Sequence, residues 1–489
     1  MKNILRASAM MGSSSVVTIL TGIIRNKVFS ILVGPAGIGL MGMFGSIQGT
    51  ASTLFGLGIN SSGVRQIAAA KSADPLLFEQ THKALLRSAF VLGILGALAV
   101  ILLREQIATR VFGNNEYAGW VGWLGIGVFA SLMFGAQFAL INGLRRIKDL
   151  AKISILGSIV GMLVSILIIF IWRKLGLLIV VVIGPFVSFL FSSWFSRKIK
   201  VENITVPWRQ YFQISWGLFS LGAAFMLSDL MSVGSQFILR AIILQKLNIE
   251  SVGHFLAAWS ISMQYIGFVL TSMAVDYYPR LAQIINDHNK VNLIVNETTE
   301  VVLLLAVPVI LCMLTFAPQV VHLLYSSNFD LTIDVLRWQV MGDILKIAAW
   351  PLGFIIVAKA QGRLFVFTEL FWYIVYFAIV WLGLNIWGIK ATGIAFLISY
   401  ISYYVLLFIL AIYFYGYRVS VRNLSLLAVS FSAAVVIKLS QYFSPLAAIF
   451  IGCLFIIIFS AYSFRRIATS INLLDIVKKR FGAKSGINS

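Results

Sequence analysis

The sequence predicts an all-α, polytopic membrane protein of about fourteen transmembrane helices, and three observations lead there. Apolar stretches follow one another from Met10 to Phe464, separated only by short polar breaks. About 20 such residues cross the ~30 Å hydrocarbon core as a helix, the form that satisfies every backbone group within the segment. Hydrophobic residues make up 60% of the 489 positions and charged residues 11%, too little charge to cover a soluble protein of this size. The basic residues also alternate from break to break: about 26 of the 38 Lys and Arg fall on one set, the positive-inside distribution.

Taken in order, the predicted spans are 10–33, 39–69, 84–103, 118–143, 152–172, 176–196, 213–243, 253–278, 299–317, 335–360, 364–384, 390–415, 422–440 and 444–464. Lys2 and Arg6 precede the first. No small-residue cleavage site follows a short apolar region there, so the first span is read as retained. Breaks after even-numbered spans carry Lys71 and Lys83; Arg145, Arg146 and Lys148; Arg197, Lys198, Lys200 and Arg209; Arg280 and Lys290; Arg363; and Arg418. Breaks after odd-numbered spans are poorer in basic residues and often rich in Gly or Asn, as in 34–39 (GPAGIG) and 113–116 (GNNE). A basic tail with Lys478, Lys479, Arg480 and Lys484 completes the pattern, which places both termini in the cytoplasm. The longest break, Tyr277 to Thr298, is expected to hold a short surface helix.

The chain also repeats itself. GIGLM at 37–41 answers SVGHF at 251–255, QIATRVF at 106–112 answers QVVHLLY at 319–325, and Arg145 answers Arg363, all at an offset of about 215 residues. An offset of six spans keeps both copies in the same orientation. Parallel repeats are a transporter feature, with substrate held between the halves. Residues 1–210 would form an N-terminal lobe of six spans and 211–417 a C-terminal lobe of six. The remainder, 418–489, adds two further spans and the basic tail.

The composition excludes several functions. A formal net charge of +21 is by itself compatible with nucleic-acid binding, but the charge lies where it orients helices. Cys312 and Cys453 both fall in apolar spans, so no disulfide framework is implied. His82, His254, His288 and His322 show no metal spacing, no Walker A motif is present, and no cofactor is expected. Gly34, Gly37 and Gly39 follow no strand and read as a turn between membrane helices.

Ionisable residues inside apolar spans remain. They are costly in lipid and mark polar interiors or pathways. Arg25 and Lys27 lie in the first span, Asp229 and Arg240 in the seventh, Asp276 in the eighth, Asp343 and Lys346 in the tenth, Glu369 in the eleventh and Lys438 in the thirteenth. Asp343 and Lys346 are i,i+3 and read either as an ion pair or as pathway groups. Lys27, Arg240 and Glu369 read either as snorkelling groups or as functional ones. Lys438 reads as a snorkelling or interhelical contact. Arg65 and Arg280 end the second span of each repeat, as orientation anchors or as guards of a cytoplasmic entrance. The second span carries a polar stripe including Gln48, Ser52 and Asn60; the eighth, its counterpart, carries Ser260, Ser262 and Gln264. The cationic bias favours an anionic substrate.

The stretches GPAGIGLMGMF (34–44), GLGINSSGVRQIA (56–68) and LRWQVMGDILKIAAWPLGFIIVAKAQGR (336–363) resemble Wzx-type O-antigen and enterobacterial-common-antigen flippases. These form the polysaccharide transporter branch of the MOP superfamily, alongside lipid II flippases and MATE exporters. The resemblance covers roughly residues 1–415. It implies a MOP flippase fold in the bacterial cytoplasmic (inner) membrane. It also implies an undecaprenyl-pyrophosphate-linked oligosaccharide moved from inner to outer leaflet by alternating access, coupled to an ion gradient. Membrane lipids, a polysaccharide polymerase and a chain-length regulator are the implied partners. Arg25 lies near one of the arginines of lipid II flippases, while none appears early in the eighth span. The expectation is a non-enzymatic transporter whose headgroup cavity uses Arg25, Lys27, Asn60, Arg65, Arg280 and Lys346, with Asp229, Asp276, Asp343 and Glu369 in ion coupling. The rivals are a MATE-like drug or cation antiporter, which would want an acidic cavity, and a membrane polymerase or ligase, which would want a large periplasmic loop.

Overall fold

A computed structural model describes residues 2–199 and 207–471; Lys200 and the tail residues Lys478, Lys479, Arg480 and Lys484 lie outside these, as do the side chains of Lys2 and Arg6. Among the described residues every regular element is a helix. They are α1 (Lys2–Gly56), α2 (Ile59–Ala73), α3 (Pro75–Leu102), α4 (Arg104–Phe112), α5 (Ala118–Gly143), α6 (Ile147–Trp172), α7 (Gly176–Ser196), α8 (Trp208–Lys246), α9 (Ile249–Gln283), α10 (His288–Thr315), α11 (Ala317–Leu324), α12 (Asp330–Ala358), α13 (Gly362–Trp387), α14 (Lys390–Tyr415), α15 (Val421–Phe443) and α16 (Pro445–Ile471).

Thirteen of the described helices are long and apolar enough to cross a membrane, the first running over Met10–Gly56. That first stretch is two predicted spans joined at Gly34, whose backbone (φ 64, ψ −168) breaks the helix. Glycine tolerates this left-handed φ, and Pro35, which needs no backbone donor, begins the next stretch. Either half is about as long as a bilayer is thick, which accounts for the fourteenth crossing. The second predicted span ends sooner than expected, at Leu57 and Gly58, both with positive φ. A β-carbon on Gly58 would sit 2.0 Å from the carbonyl oxygen of Gly222 on α8, so backbone approach fixes glycine there.

The short amphipathic segments of the repeat are helices, α4 and α11, each between two long helices. Break 277–298 holds no separate surface helix. Instead α9 continues to Gln283 and α10 starts at His288. The Asp287 carboxylate accepts the Lys290 backbone N–H at 3.2 Å and caps α10. Asp74 likewise caps α3, ahead of Pro75 at its first position.

The chain divides into two compact units, Met1–Leu256 with Leu323–Asn328, and Ala257–His322 with Phe329–Ser489. In the first, repeat-related helices meet backbone to backbone. A β-carbon on Gly39 of α1 would lie 2.1 Å from the Ile249 carbonyl oxygen, and one on Gly253 of α9 would lie 2.0 Å from that of Pro35. In the second, α12 packs on α14 through Gly342, against the Phe396 ring, and Gly393, against the Val335 carbonyl. Two amides on α10 clasp the link between α14 and α15. Asn292 donates to the Gly416 carbonyl and accepts the Arg418 N–H. Asn296 donates to the Arg418 carbonyl at 2.9 Å and accepts from Ser420 N–H, Tyr417 O–H and Asn423 Nδ2.

Candidate functional site

In the first unit α1 presents Arg25, exposed, and Lys27, half-buried. The Lys27 ammonium donates to the Tyr325 carbonyl, and Arg25 lies within electrostatic reach of the same tyrosine. Ser326 Oγ donates to the Ser30 carbonyl at 3.1 Å, so the segment 323–328 runs along this part of α1. Arg65 is exposed on α2 and makes no hydrogen bond or ion pair with the described residues.

Asn60 and Asp229, expected in separate roles, line one small cavity of about 120 Å³ with Ser52, Thr53 and Ser131. That is room for a few waters or a small ion. Two glycines on α5 make the polar face of α1 and α2 possible: a β-carbon on Gly127 would fall 2.2 Å from Gln48 Oε1, and one on Gly135 2.0 Å from Asn60 Oδ1. Beside the cavity, Gln48 Oε1 and Ser52 Oγ are buried with no protein partner. Buried polar atoms of this kind usually meet water or an ion.

Arg240, also in this unit, turns inward rather than snorkelling. Its guanidinium donates to Ser46 Oγ on α1 and to Gln236 Oε1 at 2.8 Å.

In the second unit Asp343, Lys346 and Glu369 come together. Asp343 is 1% exposed; its Oδ2 accepts from Ser262 Oγ at 2.5 Å, while Oδ1 has no partner. Lys346 does not close an ion pair on Asp343. Its ammonium points to Met263 Sδ at 2.9 Å and lies 5.9 and 5.8 Å from the ring centroids of Phe396 and Tyr400. Both carboxylates remain within its electrostatic reach. Glu369 Oε1 accepts from Tyr403 O–H at 2.9 Å. Four helices build this cluster: α9 supplies Ser262 and Met263, α12 the Asp–Lys pair, α13 Glu369, and α14 the aromatic wall. Asp276 and Arg280, expected to act separately, pair with each other at 3.1 Å on the exposed side of α9.

The second unit therefore holds a lysine within electrostatic reach of two carboxylates in membrane-spanning helices, with one carboxylate oxygen buried and without a hydrogen-bond partner. The cluster contains no activated nucleophile. No group of three or more metal-binding side chains occurs among the described residues.

The fold is that of the MOP superfamily. The lipid II flippase MurJ, in an inward closed conformation, superposes with a TM-score of 0.69 over 95% of this chain and 99% of its own, at 14% identity. An inward-facing multidrug resistance MATE family transporter superposes with a TM-score of 0.64 over 80% of this chain and 93% of its own, at 17% identity. Residues 28–334 match the polysaccharide biosynthesis protein family, and the chain belongs to it. The lipid III flippase of Escherichia coli (strain K12) is 26% identical over 375 residues, covering 74% of this chain and 87% of its own length.

Proposed function

We propose that this protein is a flippase for a polyprenyl-pyrophosphate-linked saccharide, an undecaprenyl-pyrophosphate-linked oligosaccharide of the O-antigen type. It carries this substrate from the inner to the outer leaflet of the bacterial cytoplasmic membrane by alternating access. The similarity to lipid III flippase across most of both chains supports this reading most directly. Arg25 and Lys27 attract the anionic headgroup, aided by Arg65, Arg280, Lys346 and the amide of Asn60. Cations of this kind suit pyrophosphate.

The lysine within reach of two carboxylates supports coupling to a proton or cation gradient, with Asp343 and Glu369 exchanging the ion; Asp229 beside Asn60, and Asp276, are the other candidates. The two six-helix repeats, 1–210 and 211–417, work with helices 418–464, and both termini face the cytoplasm. A polysaccharide polymerase and a chain-length regulator are its proposed protein partners.

The test is headgroup translocation in vesicles reconstituted with a lipid-linked oligosaccharide. Arg25→Ala and Lys27→Ala are each expected to slow it by about tenfold, the loss of one charge-assisted contact. Wild-type rates in both variants would remove α1 from the headgroup site.

A further inference from the structure

A second cationic group in the second unit is used by nothing described so far. Asp334 and Arg337 stand in the first turns of α12, Lys390 opens α14, and Lys438 lies in the last turns of α15. These helix ends all meet at one end of the bundle. Asp334 is within 4 Å of three cations: Lys390 Nζ at 2.7 Å, and Arg337 Nη1 and Lys438 Nζ at 3.8 Å each. The Lys438 side chain is only 6% exposed, and its charged neighbours include Asp334, Arg337 and Lys390. One carboxylate thus faces three cations.

Arg337 and Lys438, with side chains 17% and 6% exposed, share one carboxylate with the more open Lys390, and shielded charge of that kind is expensive unless an anion joins it. The donors for it are present. At 3.8 Å, beyond good hydrogen-bond length, Arg337 and Lys438 make only loose ion pairs with Asp334 and keep N–H donors for another acceptor. Arg337 Nε is buried with no partner at all. If Asp334 served only to pin α14 and α15 to α12, Lys390 and Lys438 would suffice, and Arg337, on the same helix as Asp334, would be surplus.

We infer that Arg337, Lys390 and Lys438 form a binding site for a phosphate group, separate from the headgroup cation pair on α1. A guanidinium fork with two ammonium groups suits a tetrahedral, multiply charged oxyanion. The phosphate arrives on a lipid. The cluster lies at helix ends, beside the Trp338 and Tyr442 rings over which Lys438 sits, and the adjoining Leu439, Tyr442 and Phe443 are exposed apolar surface. Aromatic rings next to cations at helix ends mark the headgroup level of a bilayer. With both termini in the cytoplasm, as proposed above, this end faces outward; the anion site itself does not depend on that orientation.

The test uses the full chain in detergent, with phosphatidylglycerol and phosphatidylcholine offered in equal amounts and retention read by native mass spectrometry. Inorganic phosphate is titrated separately and read by thermal shift. Wild type should retain phosphatidylglycerol preferentially. Lys390→Gln, at a half-exposed position that folding tolerates, should weaken this by about tenfold, as for one lost hydrogen bond to a charged group. Asp334→Asn should tighten it several-fold, because the competing carboxylate is gone. Inorganic phosphate binding that responds the same way to both changes would keep the anion site and make free phosphate its ligand. Lipid retention unchanged by Lys390→Gln, or weakened by Asp334→Asn, overturns the proposal and leaves a helix clamp.

Discussion

Lys346 lies within electrostatic reach of both Asp343 and Glu369, and its ammonium is directed at Met263 rather than at either carboxylate. The three groups therefore act as a unit. Lys346→Met leaves two acidic groups without their counter-charge and is expected to cost about 3 kcal/mol. Adding Asp343→Asn should recover part of that, while gradient-driven transport stays lost in both. Thermal unfolding in detergent and uptake into vesicles under an imposed ion gradient separate the two effects. If the double variant were no more stable than the single one, Asp343 and Lys346 would be uncoupled.

The sequence reveals this trio because an ionisable side chain inside an apolar run is conspicuous. It does not reveal the partners. Ser262 is one hydroxyl among several on its helix, and Tyr403 and Met263 look like packing residues until the fold brings α9, α13 and α14 around α12. Arg240 is equally visible, but only the approach of α8 to α1 shows that it binds Ser46 and Gln236.

Among the helices, the crossing of α1 with the start of α9 depends on glycine. Gly39→Ala and Gly253→Ala each drive a methyl group into a backbone carbonyl, and no side chain is available there to give way. Both should reduce folded yield and unfolding temperature. Gly45→Ala, on the same helix with nothing within 4 Å, is the control, and should be neutral or gain up to about 1 kcal/mol from the lower entropy of its unfolded state. Equal losses at Gly39 and Gly45 would deny the close approach any role. GIGLM and SVGHF betray the repeat through these two glycines, yet sequence alone says nothing about the two copies touching. On the clasp between α10 and the segment 416–423, Asn296→Ala removes five side-chain hydrogen bonds, four of them to that segment. At about 1 kcal/mol or less for each partly exposed bond, a loss of about 2–3 kcal/mol is expected, measured by thermal unfolding in detergent.

For the molecule as a whole, the apolar runs and alternating charge were enough to read a helical membrane protein of about fourteen crossings, because lipid leaves the backbone few alternatives. The errors fall where local geometry overrides hydropathy. Gly58 stops a helix because a neighbouring backbone presses on it, and α9 and α10 reach into a polar break because capping and amide contacts hold them there. The resemblance in 336–363 points to the polysaccharide family, in agreement with the match over 28–334, whereas the MATE transporters share the fold. A functional prediction follows at this scale. Cells lacking the protein should accumulate a lipid-linked saccharide on the inner leaflet and show no change in resistance to cationic drugs. The opposite pattern would favour the exporter reading.

Asn292 and Asn296 have one more consequence. They grip main-chain atoms of the connector, so that recognition is indifferent to whether the chain is covalently continuous just before it. Two polypeptides divided at Tyr415, one ending there and the other beginning at Gly416, should find each other in the membrane and restore a working protein. The closing helical hairpin is in that sense a subunit that happens to be tethered.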